Sequence, residues 1–495
     1  MRATKAALIA AIVVCGLALF VGGARGQAAG PHPDLQQFFL TTGAADDVAE
    51  AALEEIAAAW RDGYAGMVFD MLRFMRPPPP PAPVRAPRAF DPNDPFSRPD
   101  IPQFEREQPS TRVYRRLIRL LEEQTGERFG NDVGRWQQWI WQQPYDPHPD
   151  YARFKGLWYG QIDPRFREFF PPNVTSLIRL DEVDWGGVPP NGIPPLEYPE
   201  HLAAADAEYL DDDNIVFGIA VNGDARAYPK RILAWHEMAL DRVGGLELTI
   251  VYCTLCGTVI PYESLVDGQH IRFGTSGLLY RSNKLMFDQG TKSLWNTFEG
   301  VPVIGSLVGS GLQLTRRSMV TTTWAEWRAR HPETTVLSLE TGQQRDYSEG
   351  AAYRDYFSTD RLMFQVQARD DRLDNKDEVV VMLLDDPAGG ARHPVALSVD
   401  FLEDHPVFQA EVAGHPFVVV TSPDGANRVY RTSGERFERR LDDVRVADAD
   451  GRVWRVTEDE LVAVDDAGAR LARLPANRAF WFGWYAQFPQ TELFH

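Results

Sequence analysis

The stretch TIVYCTLCGTVIPY, residues 249–262, holds Cys253 and Cys256, two of the three cysteines in this 495-residue chain. Two thiols separated by two residues can close a disulfide, cycle as a dithiol or chelate a soft metal. Covalent haem attachment needs His directly after the second cysteine, and residue 257 is Gly. A thioredoxin-type pair opens a helix whose N-terminus lowers the first thiol's pKa. Here CGTVIPYES continues with Gly, β-branched residues and Pro, which predicts a tight turn into another strand. That shape suits a metal knuckle, with Gly257 free to take a positive φ and backbone N–H groups turned toward the sulfurs.

A lone pair of cysteines does not complete a metal site, so other ligands must come from His, Met or carboxylate. His236, in AWHEMALDRVGG, precedes the cysteine strand, and Met286 lies in KLMFD. Cys253, Cys256, His236 and Met286 form a soft set suited to copper. Zinc, with Asp288 or water as fourth ligand, is the lesser alternative. Glu237 could act as a general base or hold the His236 imidazole. Arg281 could clamp an anion, and Ser282 beside it is a further catalytic candidate. Phosphate loop, Rossmann fingerprint and Ser-His-Asp signature are all missing from the sequence, so neither nucleotide nor haem is expected. Three functions fit these residues: a copper-binding protein with a redox or metal-handling role, a non-catalytic envelope module stapled by a disulfide, and a thiol-dependent enzyme acting on a small substrate.

The elements that must position these residues change character along the chain. Residues 27–76 and 105–164 show helical spacing, as in TRVYRRLIRLLEEQTG. Between them, 77–104 is proline-rich and reads as an extended linker. From about 165, short β-branched runs alternate with Gly, Asp and Asn turns. The expected fold is α+β: a small α-helical module followed by a β-rich, internally duplicated domain. Its first half spans 165–340 and carries the cysteine pair. A connector covers 341–375, and a cysteine-free second half covers 376–495.

The duplication rests on four segments recurring in order. Trp324, Trp327, Pro332 and Thr334 match Trp481, Trp484, Pro489 and Thr491 in spacing. ARAYP at 225–229 answers ARHP at 391–394, and VGGLELTIVYC at 243–253 answers VAGHPFVVVTS at 412–422. FDQGTKSLW at 287–295 answers ADADGRVW at 447–454. In this alignment Cys253 faces Ser422 and Cys256 faces Gly425, while His405 sits offset from His236. Features held in both copies, including Asp288 with Asp448, point to fold. Features of one copy point to function.

The segments ARAYPKRILAWHEMALDRVGG, YCTLCGT, FGTSGLLYRSNKLMFDQGTKSLW and FWFGWYAQFPQTELF resemble the bacterial and archaeal family catalogued as domain of unknown function 3179. The resemblance covers roughly 165–495. It implies an exported or envelope-associated protein and supplies no reaction.

The N-terminus fits that implication. Arg2 and Lys5 precede an apolar run from Ala6 to Val21, and small residues surround Ala24 to Gly26. This is the pattern of a signal peptide over 1–26. The run is short beside the roughly 20 apolar residues of a membrane span. An exported, periplasmic or extracellular protein is expected, with an uncleaved leader as the alternative that would anchor it. No membrane span is expected in the mature chain. A net charge of −19 disfavours nucleic acid and anionic lipid as partners. The helical module is the expected docking point for any protein partner.

Overall fold

The computed structural model describes residues 31–43, 45–75, 111–386 and 389–495. The expected leader, Cys15 and the proline-rich linker lie outside the described residues. Of the described chain, the N-terminal part is helical and the remainder is α+β, with seven sheets.

The helices Leu35–Gly43, Asp46–Ala58, Tyr64–Met75, Thr111–Thr125, Val133–Gln142 and Tyr151–Tyr159 come first. Their apolar faces follow the i, i+3, i+4 spacing of the sequence and meet in one core with Phe38, Leu72, Leu117, Trp136 and Phe154. Two polar devices lock it. Asp70 accepts from Lys155 Nζ and Tyr151 OH, each at 2.8 Å, with both charges fully buried. Arg73 pairs with Asp184 on the short strand Val183–Trp185. The same core takes in Leu278, Leu285, Phe287 and Ile304 from the β-rich part. The helices are therefore packed directly onto the strands that position the cysteine turn.

After residue 195 two runs of elements resemble one another in order, the first also holding the short hairpin Leu265–Val266 with Gln269–His270. In the first pass, Ile215–Val221 and Asp224–Pro229 form a hairpin, and the helix Lys230–His236 follows. Met238–Val243, Leu246–Cys253 and Thr258–Glu263 then form an antiparallel sheet. Next comes a meander with Phe273–Tyr280, Asn283–Asp288, Leu294–Asn296 and Val301–Ile304. Finally Val320–Thr323, the helix Trp324–Arg330 and Thr335–Leu337 return to the opening hairpin. One of these strands pairs antiparallel with Ile215–Val221, the other parallel with Asp224–Pro229.

The second pass has the hairpin Glu378–Leu384 with His393–Ser398, the helix Val399–Asp404, and the sheet Val407–Val412, His415–Thr421, Asn427–Arg431. A meander over Phe437–Ala472 follows. Asn477–Phe480, the helix Trp481–Gln487 and Glu492–Phe494 close it with the same antiparallel and parallel pairings.

Side-chain locks repeat as well. Trp327 Nε1 donates to Thr334 Oγ1 at 2.8 Å, and Trp484 Nε1 donates to Thr491 Oγ1 at 2.6 Å. Trp295 Nε1 donates to Asp288 Oδ2 at 3.2 Å, and Trp454 Nε1 donates to Asp448 Oδ2 at 2.9 Å. All four Trp side chains are buried. A buried indole N–H needs an acceptor, which accounts for the Trp/Thr and Asp/Trp spacings visible in the sequence.

Candidate thiol site

Cys253 ends its strand opposite Thr258, so the pair sits on a tight turn into the next strand, as expected. Gly257 takes φ +61°, and a Cβ there would stand 2.9 Å from the Phe480 ring. Both the backbone angle and the aromatic contact require Gly. The turn is held from outside: Phe480 N donates to Cys256 O at 2.7 Å, and Tyr356 OH donates to Leu255 O at 2.8 Å. Both cysteines are buried free thiols.

The two sulfurs have different surroundings. Cys253 lines a cleft of about 30 Å³ with Glu237, Lys284, Tyr353 and Leu279. Burial works to raise its pKa, yet hydrogen bonds from the Cys256 thiol and from the backbone N–H groups of Lys284 and Cys256 bring it below the usual thiol value. Cys256 lies behind it. Burial and the neighbouring Cys253 push its pKa well up. The Cys256 Sγ–H also has Ser282 O at 3.3 Å and Asn283 Oδ1 at 3.7 Å as acceptors.

Glu237 follows the helix Lys230–His236 with φ +55°, an uncommon left-handed conformation for a residue with a side chain. Its carbonyl accepts from Tyr252 N and from Lys284 Nζ. Its carboxylate accepts from Thr254 Oγ1 at 2.7 Å and Tyr353 OH at 3.1 Å, and pairs with Lys284 Nζ at 2.8 Å. A buried charge needs such compensation. The result is a fixed ion pair on the wall of the cleft that Cys253 enters.

The expected ligand set is not drawn together. His236 is fully buried, but Nδ1 lies 2.9 Å from Pro194 O and Nε2 lies 2.6 Å from Tyr347 OH. With both ring nitrogens engaged, neither has a free lone pair for a metal beside the thiols. The left-handed turn at Glu237 explains this, because it sends consecutive side chains to different partners. Met286 does pack in the same buried cluster as both cysteines. Among the described residues, no group of three or more His, Cys, Asp and Glu side chains is arranged to hold a metal.

Arg281 also departs from expectation. Its guanidinium donates to Glu182 at 2.5 Å and to Ala486 O at 3.0 Å, so it faces no anion site. Arg281 and Ser282 form a two-residue hairpin turn with φ +50° and +62°. Such turns favour Asn and Gly. Here the Glu182 contact holds Arg281, and the Ser282 carbonyl serves the Cys256 thiol. Asp288 accepts from Trp295 and Thr291 and is structural.

Sequence reasoning missed Lys284, Thr254 and Tyr353. Lys284 had a signal: it shares a strand face with Met286, two residues on, and an inward lysine in an apolar strand needs a partner.

The family described as protein of unknown function (DUF3179) matches residues 190–491, and the chain belongs to it. A search of curated proteins returns no match, and a search of solved structures returns none either.

Proposed function

We propose that the protein carries a dithiol redox centre, with Cys253 as the reacting sulfur and Cys256 as the resolving one. The observation that carries this reading is the asymmetry of the pair. Cys253 meets the cleft and collects hydrogen bonds that favour its thiolate, while Cys256 waits behind it with its proton retained. Oxidation joins the sulfurs by one S–S bond and passes two electrons to the oxidant. The pair's thiol protons go to the reduced product or to solvent. Glu237 and Lys284 keep a balanced charge pair beside the reacting sulfur.

The test is titration of the reduced protein with iodine, a small oxidant that turns two thiols into a disulfide and two iodides. The expected result is a Cys253–Cys256 disulfide peptide, reversed by a phosphine reductant. Recovery of both thiols after excess iodine would remove the reading.

A second reading assigns the same sulfurs to copper(I), favoured by the packing of Met286 with both cysteines. Elemental analysis of protein taken from its native compartment tests it. About one copper per chain, lost in Cys253→Ser, is the expected result. The leader-like N-terminus supports an exported setting. The repeated order of strands, helices and Trp locks supports descent of the two halves from one duplicated unit. Among the described residues, no helix is long and apolar enough to cross a membrane.

A further inference from the structure

We infer that the oxidant for this thiol pair is hydrogen peroxide itself, and that larger peroxides and disulfides are excluded by size. The inference rests on the dithiol reading above and adds its substrate class.

The cleft at Cys253 has a volume of about 30 Å³. One water needs roughly 10–15 Å³ of such space, so about two water-sized molecules fit. Hydrogen peroxide, two bonded oxygens, is of that size. A peptide disulfide is far larger, and so is a hydroperoxide with an aromatic or fatty substituent. The walls are close: Val188, Ile193, Leu255, Leu278 and Leu279 line the cleft, and a Cβ at Gly277 would meet Val188 O at 2.2 Å. Both sulfurs are buried, but only Cys253 lines the cleft, so Cys256 offers no alternative point of entry.

The polar groups suit O–O cleavage. The Cys253 thiolate attacks one peroxide oxygen, the O–O bond breaks, and the sulfur becomes a sulfenic acid. The leaving hydroxide must take a proton. Lys284 lines the cleft and spends two of its three N–H groups on Glu237, at 3.0 Å to the carbonyl and 2.8 Å to the carboxylate. Its third can protonate the hydroxide to water, and solvent restores the ammonium. Cys256 then attacks the Cys253 sulfur, the S–O bond breaks, and the Cys256 proton leaves with the hydroxide as a second water. Two thiol sulfurs lose two electrons in all, and one peroxide becomes two waters.

The experiment measures the rate of Cys253–Cys256 disulfide formation in the full chain by quenched alkylation and peptide mass spectrometry. The oxidants are hydrogen peroxide, cumene hydroperoxide and oxidised glutathione. Each native rate is divided by the rate for the chain in denaturant. The expected native ratio for hydrogen peroxide exceeds those for the two bulky oxidants at least a hundredfold. Lys284→Met lowers the peroxide rate at least tenfold, and Lys284→Arg restores part of it. Equal ratios for all three oxidants would overturn the inference, and so would a disulfide formed with iodine but not with hydrogen peroxide. In both cases the dithiol reading stands. A pair that no oxidant closes would remove that reading and this inference together. If Lys284→Met does not fold, the size ratios on the unaltered chain decide the question alone.

Discussion

The turn that follows Leu246–Cys253 and the turn that follows His415–Thr421 occupy the same place in two similarly built sheets, with different contents. Register makes the comparison residue by residue. Met238 pairs with Val251 and Val407 pairs with Val420, each two residues before the turn. Tyr252 N donates to Glu237 O, and Thr421 N donates to Pro406 O. Cys253 thus corresponds to Ser422, Cys256 to Gly425 and Glu237 to Pro406. Counting back four residues from Asp288 and Asp448, Lys284 corresponds to Val444. Both cysteines and both members of the Glu237–Lys284 ion pair are thus changed in the second half.

The second turn has a different use. Ser422 Oγ donates to Glu326 Oε2 at 2.7 Å. Glu326 lies on the helix Trp324–Arg330, which belongs to the first half. Buried Arg428 donates to Glu326 at 3.0 Å and to Glu458 at 2.8 Å, and Arg473 adds to Glu458. Burial opposes the Glu458 charge, but Arg428 and Arg473 hold its pKa well below the usual carboxylate range. Each half therefore covers the other's turn with its Trp-x-x-Trp helix. One turn is closed by an ion lock. The other is left with a cleft and two thiols.

The comparison breaks first at Arg428. Replacement by Met leaves two buried carboxylates without their main counter-charge. Loss of one partner of a buried pair costs about 3–5 kcal/mol. Chemical unfolding of Arg428→Met is expected to show a loss in that range. The 253–256 disulfide should still form under mild conditions, because none of Arg428, Glu326 and Glu458 lines the Cys253 cleft. A neutral Arg428→Met would mean that the second turn is not held by its ions.

His236 supplies the next largest effect. Burial, helped by the charge of Arg345 and opposed by the bond to Pro194 O, lowers its pKa from the ordinary 6.5 to about 4. The unfolded chain then binds the proton more tightly than the folded one between these values. Stability is fully present above pH 6.5 and falls as pH drops toward 4, by about 3 kcal/mol at 1.36 kcal/mol per unit. Denaturant midpoints across this window should flatten in His236→Gln relative to the unaltered chain. An unchanged slope would show that burial does not hold the ring neutral.

The same histidine marks how far the sequence could be read. The repeat alignment of the sequence sets His405 offset from His236, while strand register puts the two at equivalent positions, two residues before Met238 and Val407. His405 is exposed and stacks on Phe401. A residue type held in both halves is no mark of chemistry, so the argument for His236 as a ligand loses its base. The match of 225–229 with 391–394 is likewise out of register, by four residues at its proline. Pro229 and Ser398 hold equivalent places, and the longer hairpin loop of the second half hides this. Strand alternation, Trp spacing and the turn after Cys256 were legible because they are local. Lys284 and Tyr353 were not, because nothing in a local pattern brings a strand of the meander and the 341–375 connector to one carboxylate. Glu237 was legible as a polar neighbour. Its left-handed backbone, which parts it from His236, was not.

The smallest effect tests whether the thiol turn tolerates what its counterpart carries. Gly483 stands in the Trp481-x-x-Trp484 helix at the place Glu326 takes between Trp324 and Trp327. A Cβ there would lie 3.0 Å from Cys256 Cβ and 3.1 Å from its Sγ. Overpacking costs about 1–3 kcal/mol, and Gly to Ala in a helix returns up to about 1 kcal/mol. Gly483→Ala is therefore expected to lose about 1 kcal/mol in chemical unfolding. Its effect on the thiols should exceed its effect on stability, because the displaced atom is the resolving sulfur. Disulfide closure after oxidation of Cys253 should slow several-fold, with sulfenic acid trapped by dimedone in its place. Unchanged closure would mean that Cys256 has slack against this helix, and that the glycine does not separate the thiol turn from the ion-locked one.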